Sequence, residues 1–403
     1  MDPVASLGAL CDSGTVRLLS DVDSAGVVIA RGRVSGRPVI AHATFSGSLD
    51  ADGCSRIVWA VDTAACEGVP VVGLWHARPT GLDGAGHVFA AMVRASGRVP
   101  QICVALGPSC SDGGYGPAFS DVVIAGPDGF GGDVVCSSDA LAVEKARQVT
   151  SLLDDHGHYS AVPDAPLPTG GRALALAMFD PTPATPVALA TPTAASAQAA
   201  ATPAAATPAA ATSAAGTPAA STPAAAPAVA NPSAHNPSAP TSSAVELRAS
   251  IAPHLLTALG RMGGHTVGVL TDSGHLDGAA AAKAARFVRM CDALRVPLVV
   301  VAEAAEVSGR TSKLLHALVS TSVPRVTVVP RRICAPYFVM NSRSLGASAV
   351  LAWPDADMAG GSSRKRADEV ISPCSTRRRI VEVLASGRVR RSTGLIPLQP
   401  LIL

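Results

Sequence analysis

Gly32-Arg33-Val34-Ser35-Gly36-Arg37, followed by Val39-Ile40, returns later in the chain as Gly260-Arg261-Met262-Gly263-Gly264-His265, followed by Val267-Gly268-Val269. Each copy reads as a glycine turn running into a strand, and the two lie 228 residues apart. Three further landmarks keep nearly the same offset. Val69-Pro70-Val71-Val72 matches Val296-Pro297-Leu298-Val299, Val99-Pro100 matches Val323-Pro324, and Gly126-Pro127-Asp128 matches Trp353-Pro354-Asp355. Four signals in one order, at offsets between 224 and 228 residues, mark an internal duplication.

The segments between the landmarks alternate in period. Ala284, Phe287, Val288, Cys291 and Leu294 share one helical face, as do Ile57, Val58, Val61 and Ala65 in the first copy. Proline at 297 cannot continue a helix, and the apolar run Leu298 to Ala302 behind it predicts a buried parallel strand. Val71 to Trp75, Ile102 to Leu106 and Val326 to Val329 repeat the pattern. Each half therefore reads as an α/β layer structure.

Between the halves, residues 181–240 contain no Asp, Glu, Lys or Arg, and Ala, Pro, Thr and Ser fill 52 of these 60 positions. Proline breaks any Ala-driven helix and no bulky side chains form a face, so a disordered linker is expected, its ends on the order of 45 Å apart as a flexible coil. The expected domains are 1–160, then a linker over 161–245, then 246–403 with a basic tail. The first domain is expected to be shortened beyond about Asp133, giving way to the linker.

Thirty-two basic against 30 acidic residues leave a net charge of +2, which argues against a general nucleic-acid binder. No uninterrupted apolar run reaches eighteen residues, and Met1-Asp2-Pro3 opens no signal-like stretch, so a soluble cytoplasmic protein is expected. The nine cysteines form no C-x-x-C pair, and Cys54, Cys103 and Cys291 read as small core hydrophobes. His156-Gly157-His158 reads as solvated, and no metal is assigned. A P-loop, a G-x-S-x-G elbow and H-E-x-x-H are all absent, and Gly84-Ala85-Gly86 lacks the third glycine of a dinucleotide fingerprint. What remains is the glycine-rich stretch Gly107 to Ala118, which is either a tight strand-to-helix turn or a cradle of free N–H groups for an oxyanion or phosphate.

The strings Gly32 to Ile40, Cys54-Ser55-Arg56-Ile57-Val58, Ala95 to Ile102 and Tyr115-Gly116-Pro117-Ala118-Phe119-Ser120-Asp121-Val122-Val123 resemble the carboxyltransferase (beta) subunits of acyl-coenzyme A carboxylases of acetyl-/propionyl-CoA type. Gly264 to Leu270, Lys283 to Arg289, Val323 to Thr327, Met340 to Leu345 and Ala352 to Ala356 carry the same resemblance in the second half. It implies two crotonase-like ββα domains, joined here by the Ala/Pro linker, in a ring-shaped oligomer that is hexameric by family. It also implies an acyl-CoA substrate, biotin carried on a biotin carboxylase/biotin carboxyl carrier (alpha) partner, and a place in fatty-acid metabolism. Backbone amides of Asp112, Gly113 and Gly114 would hold the thioester oxygen and that of Ala335 the biotin oxygen, with Ser111, Cys334 and Tyr337 as binding neighbours.

Neither of the family's adjacent glycine pairs stands intact. Ser111-Asp112 occupies the first, and Arg331-Arg332-Ile333-Cys334-Ala335-Pro336-Tyr337 replaces the second, where Pro336 has no N–H to donate. Trp75-His76-Ala77-Arg78-Pro79 replaces a Ser-Gly-Gly-Ala-Arg stretch, and Ala359-Gly360-Gly361 runs almost directly into the tail. Two functions remain: a working subunit, or an inactive paralogue that keeps the fold for assembly or regulation. From 361 to 392 nine basic residues face three acidic ones, a solvated helix face or a contact for CoA phosphates or a partner subunit.

Overall fold

The fold is taken from a computed structural model, which describes residues 2–22, 25–45, 48–76, 78–79, 82–106, 119–128, 132–153, 159–181, 244–272, 275–303, 306–307, 311–331, 339–358, 361–362 and 367–387. The glycine motifs are the tips of two β-hairpins. In the first half β2 (Val27–Val34) and β3 (Arg37–Thr44) meet at Ser35-Gly36, and in the second β9 (Leu255–Met262) and β10 (His265–Asp272) meet at Gly263-Gly264. All four turn residues have positive φ, the two-residue geometry that matches strand twist and that glycine adopts without strain.

An aspartate closes each turn from the preceding segment. Asp12 accepts from the Ser35 and Gly36 amides at 3.0 and 2.7 Å, and Asp180 accepts from Gly263 and Gly264 at 3.1 and 2.9 Å. The Asp12 N–H donates to Arg33 O and the Asp180 N–H to Arg261 O, both at 2.6 Å. An arginine steadies each carboxylate: Arg147 donates to Asp12 at 3.0 Å and to Leu10 O, and Arg377 to Asp180 at 2.6 Å and to Met178 O.

Around these hairpins the two halves build the same sheet. In the first, β1 (Arg17–Leu18) pairs antiparallel with β2 and β2 with β3. From β3 the sheet continues in parallel through β4 (Val71–Trp75), β5 (Gln101–Ala105), β6 (Val122–Ala125) and β7 (Val134–Val135). In the second, β8 (Val245–Glu246), β9 and β10 are antiparallel, followed in parallel by β11 (Leu298–Val301), β12 (Arg325–Val329), β13 (Ala349–Ala352) and β14 (Glu369–Val370). The helices repeat as well. α1 (Pro3–Leu10), α2 (Ala51–Glu67), α3 (Leu82–Ala95) and α4 (Asp139–Leu152) correspond to α5 (Gly171–Ala177), α6 (Gly278–Ala293), α7 (Ser312–Ser320) and α8 (Thr376–Ala385). Asp50 and Asp277 cap α2 and α6 alike, each accepting from the amide three residues on.

The expected α6 face is buried at Ala284, Phe287, Val288 and Cys291. On α2 it is turned: Ile57 and Val61 are buried, but Ala60 and Ala64 complete the face while Val58 and Ala65 stay half-buried. Lys283, on the inner side of α6, is 2 % exposed and donates to Leu255 O at 2.5 Å; burial lowers its pKa to about 8.

Composition places residues from 161 onward in the linker, yet 159–181 are folded. Val162, Leu167, Leu174, Ala175, Met178 and Phe179 lie in one apolar cluster with strands of the second sheet, and Tyr159 stacks on His265 at 3.8 Å. Likewise β7 and α4 occupy the stretch beyond Asp133. By position and hydrogen bonding, α5 and Asp180 are the second half's α1 and Asp12. Asp12 and Gly36 are 24 residues apart, Asp180 and Gly264 84. The extra sixty match the length of the tract Thr182–Thr241, so the tract interrupts the second repeat between its Asp clasp and its first strand.

The halves share one core: a single apolar cluster runs from Leu7 and Val28 through Val143, Ala146 and Val149 of α4 to Leu255, Leu270 and Val350. Buried Asp133 joins them electrostatically. It accepts from Val123 N at 2.9 Å, Arg248 Nε at 2.7 Å, and Arg286 Nε and Nη2 at 3.0 and 2.9 Å. Burial pushes its carboxyl up, and these donors more than offset that, holding it below the ordinary range. Neighbouring Asp121 has only the Gln101 N–H, at 2.9 Å, and the more distant Arg286 charge, so burial raises its pKa to about 6.

Three outcomes are expected. Deleting Thr182–Thr241 leaves Asp180 and Val245 five residues apart, as Asp12 and Arg17 are, so the shortened chain should melt within a few degrees of the full one in calorimetry. Asp133→Asn strands two half-buried guanidinium groups beside a buried neutral amide and should cost about 2–4 kcal/mol in denaturant unfolding. Asp121 has a folded pKa above its unfolded value, so its charge opposes folding at neutral pH and the penalty fades as pH falls through 6. Asp121→Asn should thus gain about 1–3 kcal/mol at pH 7.5, with the gain gone near about pH 4.

Candidate functional site

Strand ends decide where chemistry can occur, because in open α/β sheets ligands bind beyond the carboxyl ends of the parallel strands. In the first sheet Trp75, Ala105 and Ala125 form one row across β4, β5 and β6. Leu106 N donates to Trp75 O and Gly126 N to Ala105 O, each at 2.8 Å, so His76, Leu106 and Gly126 form the rim. The second sheet repeats this, with Ala302 N donating to Val328 O at 2.9 Å and Trp353 N to Val329 O at 3.0 Å.

The two expected oxyanion turns start from this same edge, one after β5 and the other after β12. Ser111, Asp112, Gly113 and Gly114 lie outside the described residues, as do Cys334, Ala335 and Tyr337. The flanks are placed: Leu106 and Phe119 for the first turn, Arg331 and Val339 for the second, with Phe119 stacked on Phe89 at 5.0 Å.

Described side chains on the rim add chemistry that the sequence reading treated only as a departure. His76 follows β4, and its backbone N–H donates to Thr44 Oγ1 at 2.7 Å. The register makes Asp272 and Glu303 the second-half counterparts of Thr44 and His76, since Ile40 pairs Val71 and Gly268 pairs Leu298. Glu303 accepts from Gly171 N at 2.5 Å. Burial raises its pKa, Gly171 N–H and Arg331 act against this, and Asp272 adds to it. Behind the first rim, buried His42 meets Trp75 edge-on at 5.3 Å, and burial lowers its pKa to about 4. Glycine at 73 is required there, since a Cβ would lie 2.5 Å from Trp75 Nε1 and 2.6 Å from His42 Nε2.

The basic tail is partly spent within the fold. Arg377 pairs with Asp180, Arg378 with Asp164 at 2.9 Å, and Arg379 with Glu369 at 2.7 Å and Glu382 at 2.9 Å. Arg364, Lys365, Arg366, Arg388, Arg390 and Arg391 lie outside the described residues. Among the described residues no group of three or more His, Cys, Asp and Glu side chains is placed to hold a metal ion, and no helix is long and apolar enough to cross a membrane.

Two seven-stranded sheets of identical topology, each a hairpin continued in parallel, define a duplicated crotonase-like α/β fold of the carboxyltransferase class. The carboxyl transferase domain family matches residues 17–360, and the chain belongs to that family. Over 89 % of its length it is 38 % identical to a propionyl-CoA carboxylase beta chain of Rhodococcus erythropolis, covering 79 % of that protein. It is 35 % identical, over the same shares, to the biotin-dependent acetyl-/propionyl-coenzyme A carboxylase beta6 subunit of Mycobacterium bovis. The crystal structure of transcarboxylase 12S, a hexamer with hydrolysed methylmalonyl-coenzyme A bound, superposes with a TM-score of 0.71 at 22 % identity, covering 98 % of this chain and 91 % of that one.

Cys11, Cys54, Cys103, Cys136 and Cys291 are buried, and Cys66 and Cys374 are exposed. Burial raises the thiol pKa of Cys11 to about 11 and also pushes Cys54, Cys136 and Cys291 up. Native alkylation read by peptide mass spectrometry should therefore modify Cys66 and Cys374 and leave those five intact.

Proposed function

We propose that this chain is the carboxyltransferase (beta) subunit of a biotin-dependent acyl-CoA carboxylase. It moves a carboxyl group from carboxybiotin, carried on a biotin carboxylase/biotin carboxyl carrier (alpha) partner, to the α-carbon of acetyl- or propionyl-CoA in fatty-acid metabolism. The observation that carries this reading is the pair of equivalent sheet edges: a duplicated fold offers two like sites, and the reaction has two like demands. Removing the α-proton of a thioester places negative charge on its carbonyl oxygen, and detaching carboxyl from biotin does the same at the ureido oxygen. Each oxygen needs two N–H donors at about 2.7–3.1 Å and no particular side chain.

In this reading the first half takes acyl-CoA, with the amides of Asp112, Gly113 and Gly114 at the thioester oxygen and Ser111 beside them. The second half takes biotin, with the amide of Ala335 at the ureido oxygen and Cys334 and Tyr337 alongside. The active subunit works as a homo-oligomeric ring in the cytoplasm. The resemblance of the chain to carboxylase beta subunits over most of its length supports catalysis over an assembly-only paralogue.

The test is the reverse half-reaction, loss of carboxyl from malonyl-CoA and methylmalonyl-CoA with free biotin, which needs no partner protein. Biotin-dependent loss of substrate is expected; none, beside an active control subunit, overturns catalysis and leaves assembly. The site assignment has its own readout, since Cys110 and Cys334 flank the proposed turns. Acyl-CoA should slow alkylation of Cys110, and biotin that of Cys334, each by about tenfold under saturation.

A further inference from the structure

We propose that the cavity between the two halves, on the sheet edge opposite the rim, is a binding site for a phosphorylated small molecule. The cavity holds about 460 Å³, within the range of small-ligand sites. Arg37 and His265 open β3 and β10, and Pro100 and Pro297 lead into β5 and β11, so the amino ends of the parallel strands form its floor. The five residues of β5 put about 16 Å between this edge and the rim. Leu153 and Gly97 to Pro100 come from the first half, Tyr159 and Ala293 to Pro297 from the second, so an occupant ties the halves together.

The charge of this cavity is one-sided. Arg37, Arg98, Arg295 and His265 line it, and no Asp or Glu does among the described residues. The described acids next to its wall in sequence are engaged elsewhere, Glu67 with Arg31, and Asp292 with the Ser322 N–H at 2.7 Å and Oγ at 2.9 Å. Asp154 and Asp155 lie outside the described residues. Arg37 is fixed in the wall by donating to Leu153 O. The guanidinium groups of Arg98 and Arg295 are exposed and have no hydrogen-bond or ion-pair partner among the described residues. Neither is needed as a helix cap. The carbonyls that end α2, α3 and α6 accept from backbone, Val69 N to Ala64 O at 3.1 Å, Val99 N to Ala95 O at 3.2 Å and Val296 N to Cys291 O at 2.8 Å.

Arg295 is held at the cavity on a backbone that disfavours it. It stands where the first repeat has Gly68, each just before a Val-Pro boundary, and both are left-handed, with φ of 57° and 69°. Glycine adopts this conformation without strain and arginine does not. A strained residue that lines a cavity with an unpaired cation is the kind of outlier that marks a binding role. Phosphate is the anion that fits such a wall, because its oxygens accept the forked N–H groups of guanidinium in pairs. Tyr159 and His265, stacked at 3.8 Å, add an aromatic face beside the cations.

The test uses the full chain, with pyrophosphate and ADP as probes in titration calorimetry and melting at low salt. One equivalent per chain should bind and raise the melting temperature, and added salt should weaken the binding. Arg98→Gln and Arg295→Gly should each weaken it by about tenfold. Arg295→Gly restores the residue of the first repeat, so without probe it should melt at or above wild type, which separates lost binding from lost folding. ADP bound more tightly than pyrophosphate identifies a nucleotide whose base meets the Tyr159–His265 stack, and ADP bound equally or more weakly identifies an inorganic or sugar phosphate; either order supports the site. Four results overturn it: no binding at millimolar probe, unchanged affinity in the double variant, malonate bound as tightly as pyrophosphate, or binding that emerges only when Asp154→Asn and Asp155→Asn are introduced. Both arginines are remote from the rim, so carboxyl transfer without probe should stay within about twofold of wild type, and failure of the carboxyltransferase reading leaves these binding results untouched.

Discussion

A carboxylate closing a two-residue turn is the constraint on which both halves depend. Asp12 and Asp180 each take the two N–H groups of a hairpin tip whose residues have positive φ, and each is held from behind by an arginine. That turn sets the register of β2 on β3 and of β9 on β10. A slip of one residue there would turn every side chain to the opposite face. Because β3 and β10 each start a parallel run, the register passes strand by strand to the far edge and decides which residues form the rim.

The halves are then made inseparable by a second buried carboxylate. Asp133 leaves the first sheet's edge and takes three guanidinium N–H groups from the second half, while the apolar cluster continues through α4 into the second sheet. Burying one charge among two arginines repays its desolvation only if all partners stay in place. Relative placement of the two rims thus follows from packing around α4 and Asp133.

Much of this was legible beforehand. The repeated turn, the Val-Pro boundaries and the apolar runs gave strand and helix positions that hold to within a residue or two, because they depend on local preferences and periodicity. Other features were not legible. The α2 face is turned from the expected one because Ala60 and Ala64, small residues, pack where the closest approach to the sheet is needed. Lys283 is buried because a carbonyl at the start of β9 accepts from it, a partner 28 residues away in sequence. Residues 161–181 read as linker because the weak pattern of a seven-residue helix is outweighed by the proline and alanine that follow it.

The sequence by itself determined the duplication, the alternation of helix and strand, and the family, since each is written in short-range pattern and order. Only the tertiary structure decided that the Ala/Pro tract interrupts the second repeat and that three arginines of the basic tail serve the fold. The physical reason is the same in each case. Hydrogen bonds such as Arg377 to Asp180 join residues nearly two hundred positions apart, and no local propensity encodes which distant partner a charge will find.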